Sequence, residues 1–272
     1  MRSVVLAVAT ALLLSACSGS GSSDPRAGET PVVHSPTPTP TETIPPRPPT
    51  PPPPHACYRL GYQEALAPTI DKKPSPCTRN HTAITFYVGR YDKKLAVDGK
   101  AVHRLEATVC PHRFAAFVGG TIEDRRLSML RSVWFTPSVR QAARGAHWFQ
   151  CVAIALHGGK HLARLQGMLR GVLGRPAARA RYALCGTAEP GSQGFEPRIC
   201  SAGHRWQALR TIAFRPGRYP GQDKVRSAGR QTCQDAGRAV AQDPLNYRWS
   251  YAWPTLEQWR AGQSYGVCWA PG

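Results

Sequence analysis

The sequence predicts an α+β fold in which two tandem copies of a small disulfide-stapled strand-helix-strand module follow a disordered, proline-rich stalk. Three observations predict it. A cysteine followed four positions later by a histidine occurs twice, at Cys77 and His81 and at Cys200 and His204, and in each copy a further cysteine, Cys110 or Cys233, stands 33 positions after the first. Downstream, Pro137, Gln141, Gly145 and Cys151 are repeated by Pro254, Gln258, Gly262 and Cys268, at intervals of 4, 4 and 6 in both copies. Ahead of both copies, Ser18 to His55 shows no apolar periodicity and ends in Pro-Pro-Arg-Pro-Pro-Thr-Pro-Pro-Pro-Pro at 45–54.

The amino terminus reads as an export signal over residues 1–16. Arg2 precedes an uncharged run from Val4 to Leu14 that is too short for a permanent membrane span. The following Leu14-Ser-Ala-Cys17 resembles a bacterial lipobox. That resemblance implies cleavage before Cys17 and acylation of its sulfur and new amino group. Two or more acyl chains are what stable anchoring takes, so the cell membrane is the first expected partner and the extracytoplasmic face the expected location. Residues 17–55 then form a linker whose composition buries no core. Its ten-residue proline-rich block, in polyproline II conformation, spans roughly 30 Å. A spacer is the plainer expectation, and a proline-rich ligand for a partner domain the alternative.

Three basic and three acidic residues precede residue 56, so the whole excess of +19 falls on residues 56–272. An excess of that size points to anionic surroundings: lipid headgroups, an acidic wall polymer or nucleic acid. Export and the lack of any nucleic-acid motif set nucleic acid aside. Arginine runs such as Arg175 to Arg181 also fit a solvated face.

Apart from Cys17, eight cysteines remain: Cys57, Cys77, Cys110, Cys151, Cys185, Cys200, Cys233 and Cys268. An even number in an exported chain, without a Cys-x-x-Cys pair, reads as four disulfides rather than a metal site. Two bridges per copy leave three pairings in each half. The favoured set is modular: Cys57 with Cys77, Cys110 with Cys151, Cys185 with Cys200, and Cys233 with Cys268.

Each copy, 56–151 and 185–272, reads as strand, helix, strand, short helix, strand. The first strand follows the histidine, at His81–Val88 and His204–Ile212, where β-branched and aromatic residues gather. The helix carries the third cysteine. In the second copy Val225, Gly229, Thr232, Cys233, Ala236 and Val240 share one helical face. In the first, Val102, Leu105, Val109 and Phe117 suggest the same, with a kink or restart expected at Pro111. Strands are expected at Met129–Phe135 and Tyr247–Trp253. Short helices should then start on Pro137 and Pro254 and end at Gly145 and Gly262, before closing strands at Trp148–Cys151 and Tyr265–Cys268. Glycines at 167, 171 and 174 argue against a long helix in the connection, 152–184, which reads as a loop after Val152–Leu156 extends the preceding strand.

This set of positions resembles the septum formation domain of exported and lipid-anchored actinobacterial proteins. The residues that carry the resemblance are Cys77, His81, Cys110, Pro137, Gly145 and Cys151, then Cys200, His204, Cys233, Pro254, Trp259, Gly262 and Cys268, with Leu165-Gln-Gly-Met-Leu-Arg-Gly171 as the interrepeat stretch. The chain departs from the pattern at Ile84 and Gln207, where the family often has an acid. The resemblance implies an envelope process at the division site, and implies no reaction.

His81 and His204 are the repeated ionisable residues, read either as a ligand or proton-transfer group or as structural histidines satisfying backbone groups; the second reading is preferred. Arg205 and Trp206 beside His204 are the remaining candidates for binding, as an aromatic face flanked by a cation suits an anionic sugar. Half or more of the seven tryptophans are expected in the core. His157-Gly-Gly-Lys-His161 has a zinc-like spacing, but its glycines disfavour the helix that such a site needs. The expectation is a non-enzymatic binding or structural protein without cofactor, whose partner is an envelope protein or an anionic wall polymer. The alternative is a cell-wall hydrolase working through His81 or His204.

Overall fold

The computed structural model describes residues 47–272, a mixed α/β chain with four disulfides. The signal, Cys17 and the linker up to residue 46 lie outside the described residues. In the first half the elements are β1 (Cys57–Tyr58), α1 (Tyr62–Ala65), β2 (Ala83–Arg90), α2 (Lys100–Val118), α3 (Ile122–Arg126), β3 (Leu130–Phe135), α4 (Val139–Ala143), β4 (Trp148–Gly158) and β5 (His161–Leu162). They form an antiparallel sheet of order β1-β2-β4-β3, with β5 paired to β4.

The second half begins after a 3-10 turn at Val172–Gly174 and holds α5 (Pro176–Arg181), β6 (Leu184–Gly186), β7 (Pro197–Ile199), β8 (Trp206–Ala213), α6 (Gln222–Ala228), α7 (Arg230–Val240), β9 (Ser250–Ala252), α8 (Leu256–Arg260) and β10 (Tyr265–Pro271). Its sheet runs β7-β6-β8-β10-β9. Without β5 and β7 the two strand orders correspond, β1-β2-β4-β3 against β6-β8-β10-β9.

The correspondence extends to an irregularity. In the first sheet Thr85 faces Val152 and Tyr87 faces Cys151, so Phe86 is the extra residue of a bulge. In the second, Ala208 faces Trp269 and Arg210 faces Cys268, which leaves Leu209 as the extra residue. A bulge re-aims the side chain it carries. Phe86 packs against Phe114 and Phe117 of α2, with ring centroids 5.7 and 5.4 Å apart. Beside each bulge a disulfide ties helix to strand: Cys110 to Cys151 and Cys233 to Cys268, with Cα atoms 5.4 and 4.8 Å apart. The others join Cys57 to Cys77 and Cys185 to Cys200, so every bridge stays within its half.

Several elements depart from the sequence reading. α2 is one continuous helix through Pro111. An interior proline costs about 3 kcal/mol, and here the Cys110 bridge and the aromatic packing of Phe114 and Phe117 offset it. The buried face of α2 is Val102, Glu106, Cys110, Phe114 and Phe117, while Leu105 and Val109 are only half-buried. The second long helix is divided at Gly229 into α6 and α7, and Val240 is exposed rather than on the packed face. Pro137 and Pro254 stand just outside their helices. The N-caps are Ser138 and Thr255, and Gln141 and Gln258 close reciprocal capping boxes onto them. Both helices are followed by a glycine in left-handed conformation, Gly145 at φ 88° and Gly262 at φ 96°, as a chain reversal after a helix favours.

The connection is more ordered than a loop, since it holds the end of β4, β5, the 3-10 turn and α5. Leu165, Leu169, Val172 and Leu173 bury themselves in a core that also includes Ile84, Phe117 and Phe149 from the first half and Ile199, Trp206 and Trp269 from the second. Apolar leucines spaced between glycines thus fill the junction, and the glycines supply its turns. The face of the second sheet under α7 has a much smaller cluster of its own: Cys233, Tyr251 and Cys268. Among the described residues no helix is long and apolar enough to cross a membrane.

Candidate functional site

The two repeated histidines are held alike. His81 Nδ1 lies 2.9 Å from the Arg79 carbonyl oxygen and His204 Nδ1 lies 3.0 Å from that of Ala202. A carbonyl oxygen only accepts, so in both rings Nδ1 carries a proton and donates it. In both copies the turn between cysteine and histidine supplies the acceptor two residues back. His81 is 1% exposed, its backbone carbonyl receives the Leu165 N–H at 2.9 Å, and its Nε2 has no partner. A ring sealed in this way does not reach a polymer outside the protein. His204 is half-buried.

Trp206 is buried, and the Arg248 guanidinium sits 5.2 Å above its ring. Arg205 is exposed, and its main chain is fixed by its N–H to the Gly186 carbonyl and by the Gly272 N–H to its own carbonyl. The structure therefore does not present His204, Arg205 and Trp206 as one open aromatic platform. The same arrangement recurs elsewhere: Arg226 covers Trp253 and Arg238 covers Tyr247. Of the seven tryptophans, Trp148, Trp206, Trp259 and Trp269 are buried, while Trp134, Trp249 and Trp253 are half-buried. These aromatic faces serve packing and arginine stacking.

What the fold does assemble is a basic cleft at the junction of the halves, about 490 Å³ in volume. The β4–β5 hairpin brings His157 and His161 to one wall, and the chain continuing from β5 adds Arg164 and Gln166. Arg181 at the end of α5 and Ser201 in the second Cys-x-x-x-His turn also line the cleft, together with the buried Tyr182 and Ile199. His157, His161, Arg164, Arg181 and Ser201 are all exposed, and none of the lining residues is acidic. The neighbouring carboxylate, Glu196, is engaged by the Gly159 N–H and by the Arg198 guanidinium at 3.5 Å. Two guanidiniums, two imidazoles, a hydroxyl and an amide in one concavity make a donor-rich surface, suited to phosphate or carboxylate groups.

The histidine pair at 157 and 161 was visible in the sequence as a spacing. It lies on a hairpin around Gly159-Lys160 instead of a helix, and among the described residues no three His, Cys, Asp or Glu side chains cluster for a metal. Arg164, Arg181 and Ser201 come from three separate segments, and no spacing in the sequence joins them.

No curated protein and no solved structure matches this chain. A family described as septum formation matches it from residue 76 to residue 268, from just before Cys77 to the last cysteine. That match takes in both Cys-x-x-x-His turns and three of the four bridges whole, and the chain belongs to the septum formation family.

Proposed function

We propose that this chain is a lipid-tethered, extracytoplasmic binding protein of the cell envelope. In this reading a duplicated disulfide-stapled module stands on a proline-rich stalk anchored at Cys17, and its basic cleft holds an anionic wall polymer. The observation that carries the proposal is the cleft itself, lined by Arg164, Arg181, His157 and His161 with no acid among them, on a chain whose net charge is +19. The family's name extends the proposal to the wall being built at the division site. A binding role is supported over a hydrolytic one at His81, whose ring is buried and closed to a polymer outside the protein.

Co-sedimentation of the full chain with purified cell-wall material tests the reading. Retention should be strong at low ionic strength and fall as the Debye length shrinks from about 30 Å at 0.01 M to about 8 Å at 0.15 M. The double variant Arg164→Gln, Arg181→Gln should lose most of it. Retention indifferent to both would rule out the cleft as the wall-binding surface. Capture of an envelope protein in place of wall polymer would transfer the cleft to a protein partner, and release of soluble wall fragments that depends on His204 would favour the hydrolase. Separately, Cys17→Ala should move the chain out of the membrane fraction.

A further inference from the structure

A second pocket, of about 340 Å³, opens in the first half between the segment after α1 and strand β3, with α2 beneath it. Its walls are largely apolar, with Leu66, Val133 and Trp134 prominent. Glu106 projects into it from the buried face of α2. The Glu106 side chain is 1% exposed, and neither of its carboxyl oxygens has a hydrogen-bond partner. Its near neighbour is the half-exposed His103 ring, with Nδ1 3.4 Å from Oε2. Ser132 Oγ, in the same lining, is also buried and unpartnered. Buried polar atoms are nearly always paired, and these three oxygens have only the His103 ring near one of them, so the apolar pocket leaves room for donors from outside.

The other half shows what this place looks like when closed. Glu106 stands four residues before the helical Cys110, and Gly229 stands four before Cys233. Trp134 faces Cys151 across the first sheet, and Tyr251 faces Cys268 across the second. In the second half the Tyr251 ring occupies the space a side chain at position 229 would need, and its hydroxyl donates to the Val225 carbonyl at 3.0 Å. The position is filled and its polar atom satisfied. In the first half a carboxyl group replaces the glycine, the facing aromatic leaves a pocket, and the carboxyl is unsatisfied.

We infer that this pocket binds a primary alkylammonium group, with the ammonium on Glu106 and Ser132 and the apolar stem along Leu66, Val133 and Trp134. An ammonium brings three donors and no acceptor, which matches what the three open oxygens lack. A hydroxyl brings one donor, and a quaternary ammonium brings none. This site is independent of the basic cleft and takes a ligand of opposite charge.

The test is titration of n-butylammonium chloride into the full chain by calorimetry at about pH 8, where alkylamines stay protonated. We expect saturable binding at one site, with 1-butanol and tetramethylammonium failing to saturate it. Because the chain as a whole is strongly positive, added salt should leave butylammonium affinity unchanged or raise it, opposite to the wall-polymer cleft. Glu106→Gln, nearly isosteric, should weaken binding by about tenfold or more. Ala67→Trp, placed at the half-buried pocket wall, should abolish it by occlusion without touching the carboxyl. Equal binding of butanol, undiminished binding to Glu106→Gln, or no saturation with butylammonium would each overturn the assignment.

Discussion

Glu123, in the first turn of α3, reaches across the junction and accepts the backbone N–H of Thr211 in β8 at 2.8 Å. The contact has a structural reason. β6 pairs with β8 only at Gln207 and Trp206, so the outer edge of β8 beyond them has no strand beside it. A free strand edge is a liability, and here a carboxylate from the other half covers part of it. Three residues on, Arg126 lies 4.5 Å above the Tyr265 ring of β10. With the apolar core shared across the junction, these contacts make the two halves one structural unit.

Glu123→Ala should therefore destabilise the chain by about 1–3 kcal/mol, as expected when a hydrogen bond to a charged group is lost and a backbone donor left open. Glu123→Gln should recover much of that loss. Urea denaturation followed by tryptophan fluorescence and far-ultraviolet circular dichroism should give one coincident transition for the parent chain. Two separated transitions would mean that the halves unfold independently, against a shared core.

The disulfides should act unequally in space although their loops are alike in length. Closing 41 or 35 residues is worth about 4 kcal/mol in the chain-entropy account. α2, however, is also held by Phe86, Phe114 and Phe117, whereas the cluster under α7 is Cys233, Tyr251 and Cys268. Replacing Cys233 and Cys268 by alanine should raise hydrogen exchange throughout α7 at temperatures where the first half stays protected. Replacing Cys110 and Cys151 should lower the global midpoint while α2 remains helical. Similar local protection of α7 and α2 in the two variants would show that the bridge at Cys233 has no special local role.

Thr255→Ala and Ser138→Ala should each cost about 1 kcal/mol, because each removes the side-chain oxygen that accepts the N–H of Gln258 or Gln141, at 3.2 and 3.3 Å. Thermal denaturation of the two variants checks this. The capping boxes also show how far the sequence could be read. Pro137, Gln141 and Gly145 were legible as a repeat because their spacing is local, and Ser-x-x-Gln and Thr-x-x-Gln carry the reason within four residues. Within each half the strand, helix, strand, short helix, strand series was legible for the same reason, since period and punctuation are short-range, but strands β1 and β6 ahead of it, the short helices α1 and α3 and the division of the second helix at Gly229 were not. Continuity of α2 through Pro111 was not, because it depends on packing with β2 and a bridge to β4. The basic cleft was not, because Arg164, Arg181 and Ser201 meet only through the tertiary fold. Glu106 leaves a trace in the sequence: Val102, Glu106, Cys110 and Phe114 recur every four residues, and a carboxylate in the middle of an apolar helical face is a departure that asks for an explanation.

Glu106 also gives the chain a distinctive dependence on pH. Burial pushes its carboxyl above the ordinary carboxylate value, with the His103 ring pulling it back down in part. The folded chain thus holds this proton more tightly than the unfolded chain does. Below the unfolded carboxyl's pKa, near 4.5, both forms are protonated and Glu106 carries no charge penalty. As pH rises from there through the raised folded pKa, the unfolded form ionises first and stability is lost. Other carboxyls act in the opposite sense: Asp124, for example, is held below its ordinary value by its hydrogen bonds to Thr121 and by Arg179, against a desolvation effect that pushes up. The comparison that isolates Glu106 is accordingly parent against Glu106→Gln. Denaturation midpoints of the two should be close at low pH and diverge as pH rises, with the glutamine variant the more stable at neutral pH, since it carries no buried charge. A gap between them that stayed constant across the same range would mean that Glu106 ionises as freely in the folded chain as in the unfolded one, and the pocket would then be open to bulk water rather than lined by a desolvated carboxyl.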